Sequence, residues 1–485
     1  MNILDIGTDK RDIFGTLDAL DENDVIFKSY FLETNIFKKI AGKSRFFILV
    51  GEKGTGKSAL LKRCMIADKE KGLLVIKISR PQVNESANIN DMINKWKDIL
   101  ANEIFKSLDS NEKTITESVS TLGAIKNSLE TVFTEYVKAK YDINYVNVKQ
   151  QVLSIFNSTD CDIKVYIDDL DVGYKGTQTQ NESIIALFTA IRELIRDNAS
   201  LKFRVTLRTD VYDNIRRLDE SADKIQDAKL ELKISNHEIL AMLTKRVLTL
   251  LGKQHDNKED YKNYSQAQMM SLMNDLFEER FYGRGIWENI ATYRILMTMT
   301  RRRPRDLFVL CGLAWDSATN AGRTKITSSD LSDNFIRYSN ERLSDEIAEY
   351  RHEFKNNDDF KELVLSLKPS RNQRRNHKEK YSLYLYDKYS LLKKIDTIIE
   401  RRNFYFFDGK KAGSLDLAKF LYKANIIIGR KDTDTGIKRA YYMEQPDLIS
   451  DNTDYGYKFE VHPAYRWAID DNHSDVYNSI TLEGE

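Results

Sequence analysis

The chain has 485 residues, too many for one hydrophobic core, so two to four domains are expected. Apolar residues make up 41% and charged residues 31%, which excludes a disordered or fibrous chain. With 75 Lys and Arg against 74 Asp and Glu, overall charge argues neither for nor against a nucleic-acid partner, so only local clusters bear on that question.

The three cysteines, Cys64, Cys161 and Cys311, lie far apart and signal neither a disulfide framework nor a zinc site. The first residues carry acids and lack the apolar run of a signal peptide, and no later stretch is long and apolar enough to span a membrane. A cytoplasmic protein without a membrane partner is the expectation. The first strong element is FFILV, Phe46 to Val50, a buried strand, followed by GEKGTGKS and a helix carrying Ala59, Leu60 and Leu61 inward.

Gly51, Gly56, Lys57 and Ser58 fit G-x-x-x-x-G-K-[ST], in the strand, loop and helix order that a phosphate-binding loop requires. Gly54 adds backbone freedom, so the amides of Gly51, Glu52, Lys53, Gly54, Thr55, Gly56, Lys57, Ser58 and Ala59 are candidates for cradling a triphosphate. Lys57 would reach the β- and γ-phosphates, and the Ser58 hydroxyl would join the shell of a Mg²⁺ ion.

A second strand is predicted at Gly72 to Ser79, and a polar, helical insertion at about 88–157. Ile163 to Ile167 forms a third strand, ending in Asp168, Asp169, Leu170 and Asp171. Two acids at the carboxyl end of such a strand suit a magnesium ligand, Asp168, and a residue that polarises water, Asp169. A crossover helix follows, with Ile184, Leu187, Ile191 and Leu194 at helical spacing.

The fourth strand, Leu201 to Leu207, ends in Arg208, placed either to sense a γ-phosphate or to pair structurally with Asp168, Asp169 or Asp210. A fifth, Lys229 to Ile234, completes an α/β pattern with a parallel sheet covered on both faces. No N-K-x-D guanine signal is present, so ATP is the expected nucleotide.

With these residues in view, the chain resembles AAA+ or STAND-type P-loop ATPases, and more narrowly the bacterial FunZ-type ATPases, related in layout to origin-recognition ATPases. RRRPRDLFVLCGLAW at Arg301 to Trp315, the stretch from Ile326 to Tyr350, and FEVHPAYRWAI at Phe459 to Ile469 extend the resemblance over most of the chain. It implies a P-loop core at 1–235, an α-helical lid at 236–355, a winged-helix domain at 356–470, and an acidic tail at 471–485.

The resemblance also implies a sensor arginine in the lid. Arg305 is the choice, with Arg303 behind it, while Arg301 to Arg303 also suit the negative end of a preceding helix, Trp287 to Met299. It implies a homo-oligomer with an arginine supplied in trans, for which Arg192, Arg196, Arg216 and Arg217 compete, and a companion effector in phage defence. Asp169 stands where many relatives have Glu, which favours slow turnover, so the alternative is a non-hydrolysing nucleotide-dependent scaffold.

In the C-terminal part, helices at Phe360 to Leu367, Ser390 to Glu400 and Leu415 to Lys423 lead to a strand, a turn at Asp432 to Gly436, and further strands. KPSRNQRRNHKEK offers Lys368, Arg371, Arg374, Arg375 and Lys378 as a candidate DNA or protein contact, with a solvated loop as the bland alternative. His462 is assigned to packing, and the tail after Asp470 to a disordered end.

Overall fold

The computed structural model describes residues 9–482 apart from 17, 80, 82–87, 111–162, 199, 219–222, 254–260, 285–286, 377–382, 435 and 451–455. The chain forms two units. One comprises Asp18–Lys28 and Glu33–Leu232; the other comprises Met1–Leu17, Ser29–Leu32 and Lys233–Glu485.

The first unit is built on five parallel strands, β1 (Phe46–Gly51), β2 (Leu74–Ser79), β3 (Ile163–Asp168), β4 (Leu201–Arg208) and β5 (Lys229–Glu231), in the order β2-β3-β4-β1-β5. Continuous burial along β3 and most of β4 marks a sheet covered on both faces. The helix Gln178–Asp197 packs on the helix Ile89–Ser110, where Trp96 is fully buried and donates its indole N–H to Ser183 O at 2.8 Å. Ile89–Ser110 is the first part of the predicted insertion; most of the remainder lies outside the described residues.

Side chains alternate across a strand, so Lys164, Tyr166 and Asp168 share one face of β3, and Arg204, Thr206 and Arg208 share one face of β4. These buried polar rows are tolerated because their groups find partners, one oxygen of Asp168 excepted. At the far end of the helix Lys57–Glu70, Asp68 accepts from Lys164 Nζ at 2.8 Å and from the Tyr166 hydroxyl at 2.5 Å. Arg204 donates to the carbonyls of Ile40, Gly42 and Ser44 at 2.7 to 3.1 Å and stacks on Phe47, clamping the approach to β1.

In the second unit, the segment from Lys233 onward opens with helices Asn236–Leu250 and Gln266–Leu272. The predicted helix from Trp287 is corrected: β6 (Arg280–Tyr282) and β7 (Glu288–Ala291) form a hairpin, and only Thr292–Met299 is helical. Asn289, at φ 57°, lies outside right-handed helical space. Pro304 starts the helix Pro304–Asn320, which buries Leu307, Leu310 and Leu313 as its spacing predicts.

The expectation that Arg301 and Arg303 answer a helix end also needs correction. Both are buried ion-pair donors: Arg301 binds Asp306 at 2.7 Å and also Glu346, and Arg303 binds Glu346 at 3.0 Å. The helix carrying Glu346, Phe335–Tyr350, is thereby tied to the start of Pro304–Asn320.

Farther along, β8 (Leu385–Tyr386) precedes the helices Lys388–Ile399 and Ser414–Lys423. Three antiparallel strands follow, β9 (Ile427–Thr433), β10 (Gly436–Ala440) and β11 (Lys458–Val461), in the sheet order β10-β9-β11-β8. His462 is fully buried; its Nδ1 accepts from Ala464 N–H and its Nε2 meets the Tyr441 hydroxyl, the packing role expected.

The tail is a correction. Residues His473–Ser479 form a helix, with Val476 and Ile480 buried, because Asp470, Asp471 and Asp475 pair with the basic run instead of repelling one another in solvent. No helix among the described residues is long and apolar enough to cross a membrane.

Candidate functional site

β1 delivers Gly51 to the rim of the sheet. A Cβ there would sit 2.9 Å from Thr55 Oγ1, which itself donates to Glu52 O at 2.7 Å, so the tight loop needs glycine at that point. Gly54 and Gly56 have φ of 83° and 93°, which turns the backbone into the first turn of the helix Lys57–Glu70. The early amides of a helix have no partner within it, and its N-terminus attracts anions. Lys57 folds over the loop and donates from Nζ to the carbonyls of Gly51 at 2.8 Å and Glu52 at 3.0 Å. Ser58 and Ala59 are half-buried in that first turn, and Lys53 is exposed.

The register places Gly51 beside Arg208, with β4 lying between the loop strand and the acid strand. At the end of β3, Asp168 is 3% exposed. Its Oδ1 accepts from the Thr206 hydroxyl at 2.5 Å, while Oδ2 is buried with no hydrogen-bond partner. An unsatisfied buried carboxylate oxygen is costly, and a hard cation with oxygen ligands would satisfy it. The orphaned oxygen of Asp168 therefore suits a hard cation such as Mg²⁺.

Asp169 leaves the strand in the left-handed region, φ 58°, and opens a turn in which Val172 N–H donates to Asp169 O at 3.2 Å. The turn brings in Asp171, to which the sequence reading assigned no role. Asp171 Oδ2 accepts from the Arg208 amide at 3.2 Å and lies 3.5 Å from Arg208 Nε. Burial pushes the Asp171 carboxyl up, opposed by the positive charges of Lys57 and Arg208. The signal that would have found it is the third acid of D-D-x-D, which one turn returns to the phosphate side.

Arg208 is also held by Asp210, with Nε to Oδ1 at 3.0 Å and Nη2 to Oδ2 at 2.5 Å. The structural pairing with Asp210 foreseen for this arginine is thus present. Loop, acids and Arg208 are brought together in the first unit. Arg305 belongs to the second, half-buried at the second residue of Pro304–Asn320, while Arg303 is buried against Glu346.

In the basic run, Lys368 pairs with Asp471 at 2.7 Å, and Arg374 pairs with Asp470 at 2.5 Å and with Asp475. Those two of the five proposed contact residues are therefore neutralised within the chain. Arg371 and Arg375 are exposed, and Lys378 lies outside the described residues.

Residues 237–346 match the FunZ-associated C-terminal helical domain. Over 388 residues the chain is 22% identical to the "Putative transposon gamma-delta 80.3 kDa protein" of Escherichia coli (strain K12), covering 72% of this chain and 53% of that protein. The chain thus spans about half the length of this curated relative.

Among solved structures, the Aeropyrum pernix ORC2 protein in its ADPNP-ADP complexes aligns at TM-score 0.42 and 12% identity, covering 94% of this chain and 92% of that one. The Thermotoga maritima RuvB Holliday junction branch migration motor aligns at 0.30 and 14%, covering 69% and 79%. Scores this low carry no functional inference. The chain's own glycine loop, the helix after it and the parallel sheet carry the P-loop α/β fold expected from the sequence.

Proposed function

We propose that this chain is an ATP-binding and ATP-hydrolysing switch that couples nucleotide state to a DNA or protein partner. The observation that carries the reading is Asp168 Oδ2, buried and unpartnered at the end of the acid strand, one strand away from the glycine loop. Bound Mg²⁺, held by Asp168 and Ser58, would supply charge neutralisation at the β- and γ-phosphates.

Within the protein, the loop amides orient the phosphates, and Lys57 exchanges its two carbonyl partners for phosphate oxygens. Asp169 orients the attacking water. Arg208 offsets charge developing on the γ-phosphate, and a sensor role for Arg305 is what the family resemblance implies. The succession β8, two helices, β9, β10 and β11 supports a winged-helix module, with its wing at Asp432 to Gly436, as the part that meets the partner. A homo-oligomer, a companion effector, a cytoplasmic setting and a role in phage defence come from the family resemblance and belong to this proposal.

A second reading, a nucleotide-locked scaffold that hydrolyses little, is favoured by one observation. Arg208 is gripped by both Asp171 and Asp210, so turnover requires breaking ion pairs. Steady-state phosphate release, with and without DNA, separates the two. Release abolished by Lys57→Ala and Asp169→Asn supports the enzyme; absent release with intact nucleotide binding supports the scaffold.

A further inference from the structure

The arginine beside the glycine loop is shared by two carboxylates of different origin. Asp210 is two residues away on the same segment, so its fork with Arg208 is local and forms wherever this helix start forms. Asp171 arrives from the turn after β3, the turn that also carries Asp169, and it binds Arg208 through both backbone and side chain. Its carboxylate also lies within the field of Lys57. One acid therefore holds the arginine that would receive a γ-phosphate, and it resides on the loop that would hold the attacking water.

We infer that Asp171 is a positioning residue that competes with the γ-phosphate for Arg208, so that it sets how strongly the site distinguishes a triphosphate from a diphosphate. The inference rests on the nucleotide reading above. With a diphosphate bound, Arg208 stays between Asp171 and Asp210. A γ-phosphate draws the guanidinium away from Asp171, and the turn bearing Asp169 is then held to Arg208 only through its backbone amide at the moment the water must be aligned. Removing the competing charge makes Arg208 more available, which strengthens triphosphate binding and leaves diphosphate binding nearly unchanged.

The test is the dissociation constant of ADP and of a non-hydrolysable ATP analogue, each with Mg²⁺, measured by calorimetry on the full chain. Asp171→Asn should raise the preference for the analogue over ADP by about threefold to tenfold, the scale of one ordinary hydrogen bond. Asp171→Ser should do the same, and Asp171→Glu should leave the preference near wild type. In an Arg208→Ala background the Asp171→Asn effect should vanish.

A merely structural role would weaken both ligands together without moving their ratio. An unchanged or reduced ratio in Asp171→Asn and Asp171→Ser, or a rise that persists without Arg208, overturns the inference while leaving the nucleotide site standing. Failure of the wild-type chain to bind either ligand overturns both.

Discussion

Asp168→Asn should stabilise the nucleotide-free protein and at the same time remove its response to magnesium. In the wild type, a carboxylate that is 3% exposed spends one oxygen on Thr206 and leaves the other without a partner. A buried group lacking its hydrogen bond costs about 1–3 kcal/mol, more for a charged group than for a neutral one. Asparagine keeps an oxygen for the Thr206 hydroxyl and replaces the charge by an amide, so a gain of about 1–2 kcal/mol is expected. For a unit of this size that is roughly 2–8 °C in Tm.

Against this, saturating Mg-ATP stabilises the wild type by about 2.7 kcal/mol at a hundred times Kd, and the part that depends on magnesium should disappear in the variant. Thermal melts in EDTA, in ATP with EDTA and in ATP with Mg²⁺ read all three quantities. A variant that melts below wild type in EDTA, or that keeps the wild-type magnesium shift, would refute the assignment of Asp168 as the metal ligand.

Three further outcomes are expected. Gly56→Ala places a side chain at φ 93°, costing about 1–2 kcal/mol in strain, and should abolish the ATP-induced rise in Tm. Glu460→Gln removes the charge that faces Arg439 at 2.7 Å, Arg466 at 2.8 Å and Arg430 at 3.8 Å, all buried, so urea melts should show a loss of about 3–5 kcal/mol. Lys394, half-buried with Nζ donating to Lys368 O at 2.9 Å, has its pKa lowered to about 8 by burial. Between that value and the ordinary lysine value the folded state binds fewer protons than the unfolded one, so this group's contribution to stability rises with pH there. Lys394→Met should therefore raise stability at pH 7 by about 2 kcal/mol, and the difference from wild type should shrink towards pH 10 in denaturant titrations.

The glycine loop and the acid strand were legible because their chemistry is local: a hydrophobic run, a turn and a helix lie within a few residues of Gly51, and Asp168 ends an unbroken apolar strand. What escaped depends on groups brought together from afar. Asp171 looked like one more acid in a solvated turn until Arg208 arrived from β4. Lys368 and Arg374 looked like a phosphate-binding run until acids about a hundred residues later folded back on them. β8 was missed because two residues carry no alternation, and β7 because a short β-hairpin interrupts a helical pattern.

The helix that follows the glycine loop is tied along its length, by Lys62 to the carbonyls of Ala19 and Glu22, by Arg63 to Glu33 and, near its far end, by Asp68 to Lys164 and Tyr166 on β3. Asp68 lies about 16 Å along the axis from the loop. Over that length a tilt of about 4° would sweep the loop end through about 1 Å, enough to make or break the grip of a lysine on an oxygen. Ties this far from any phosphate therefore bear on how finely the loop is aimed.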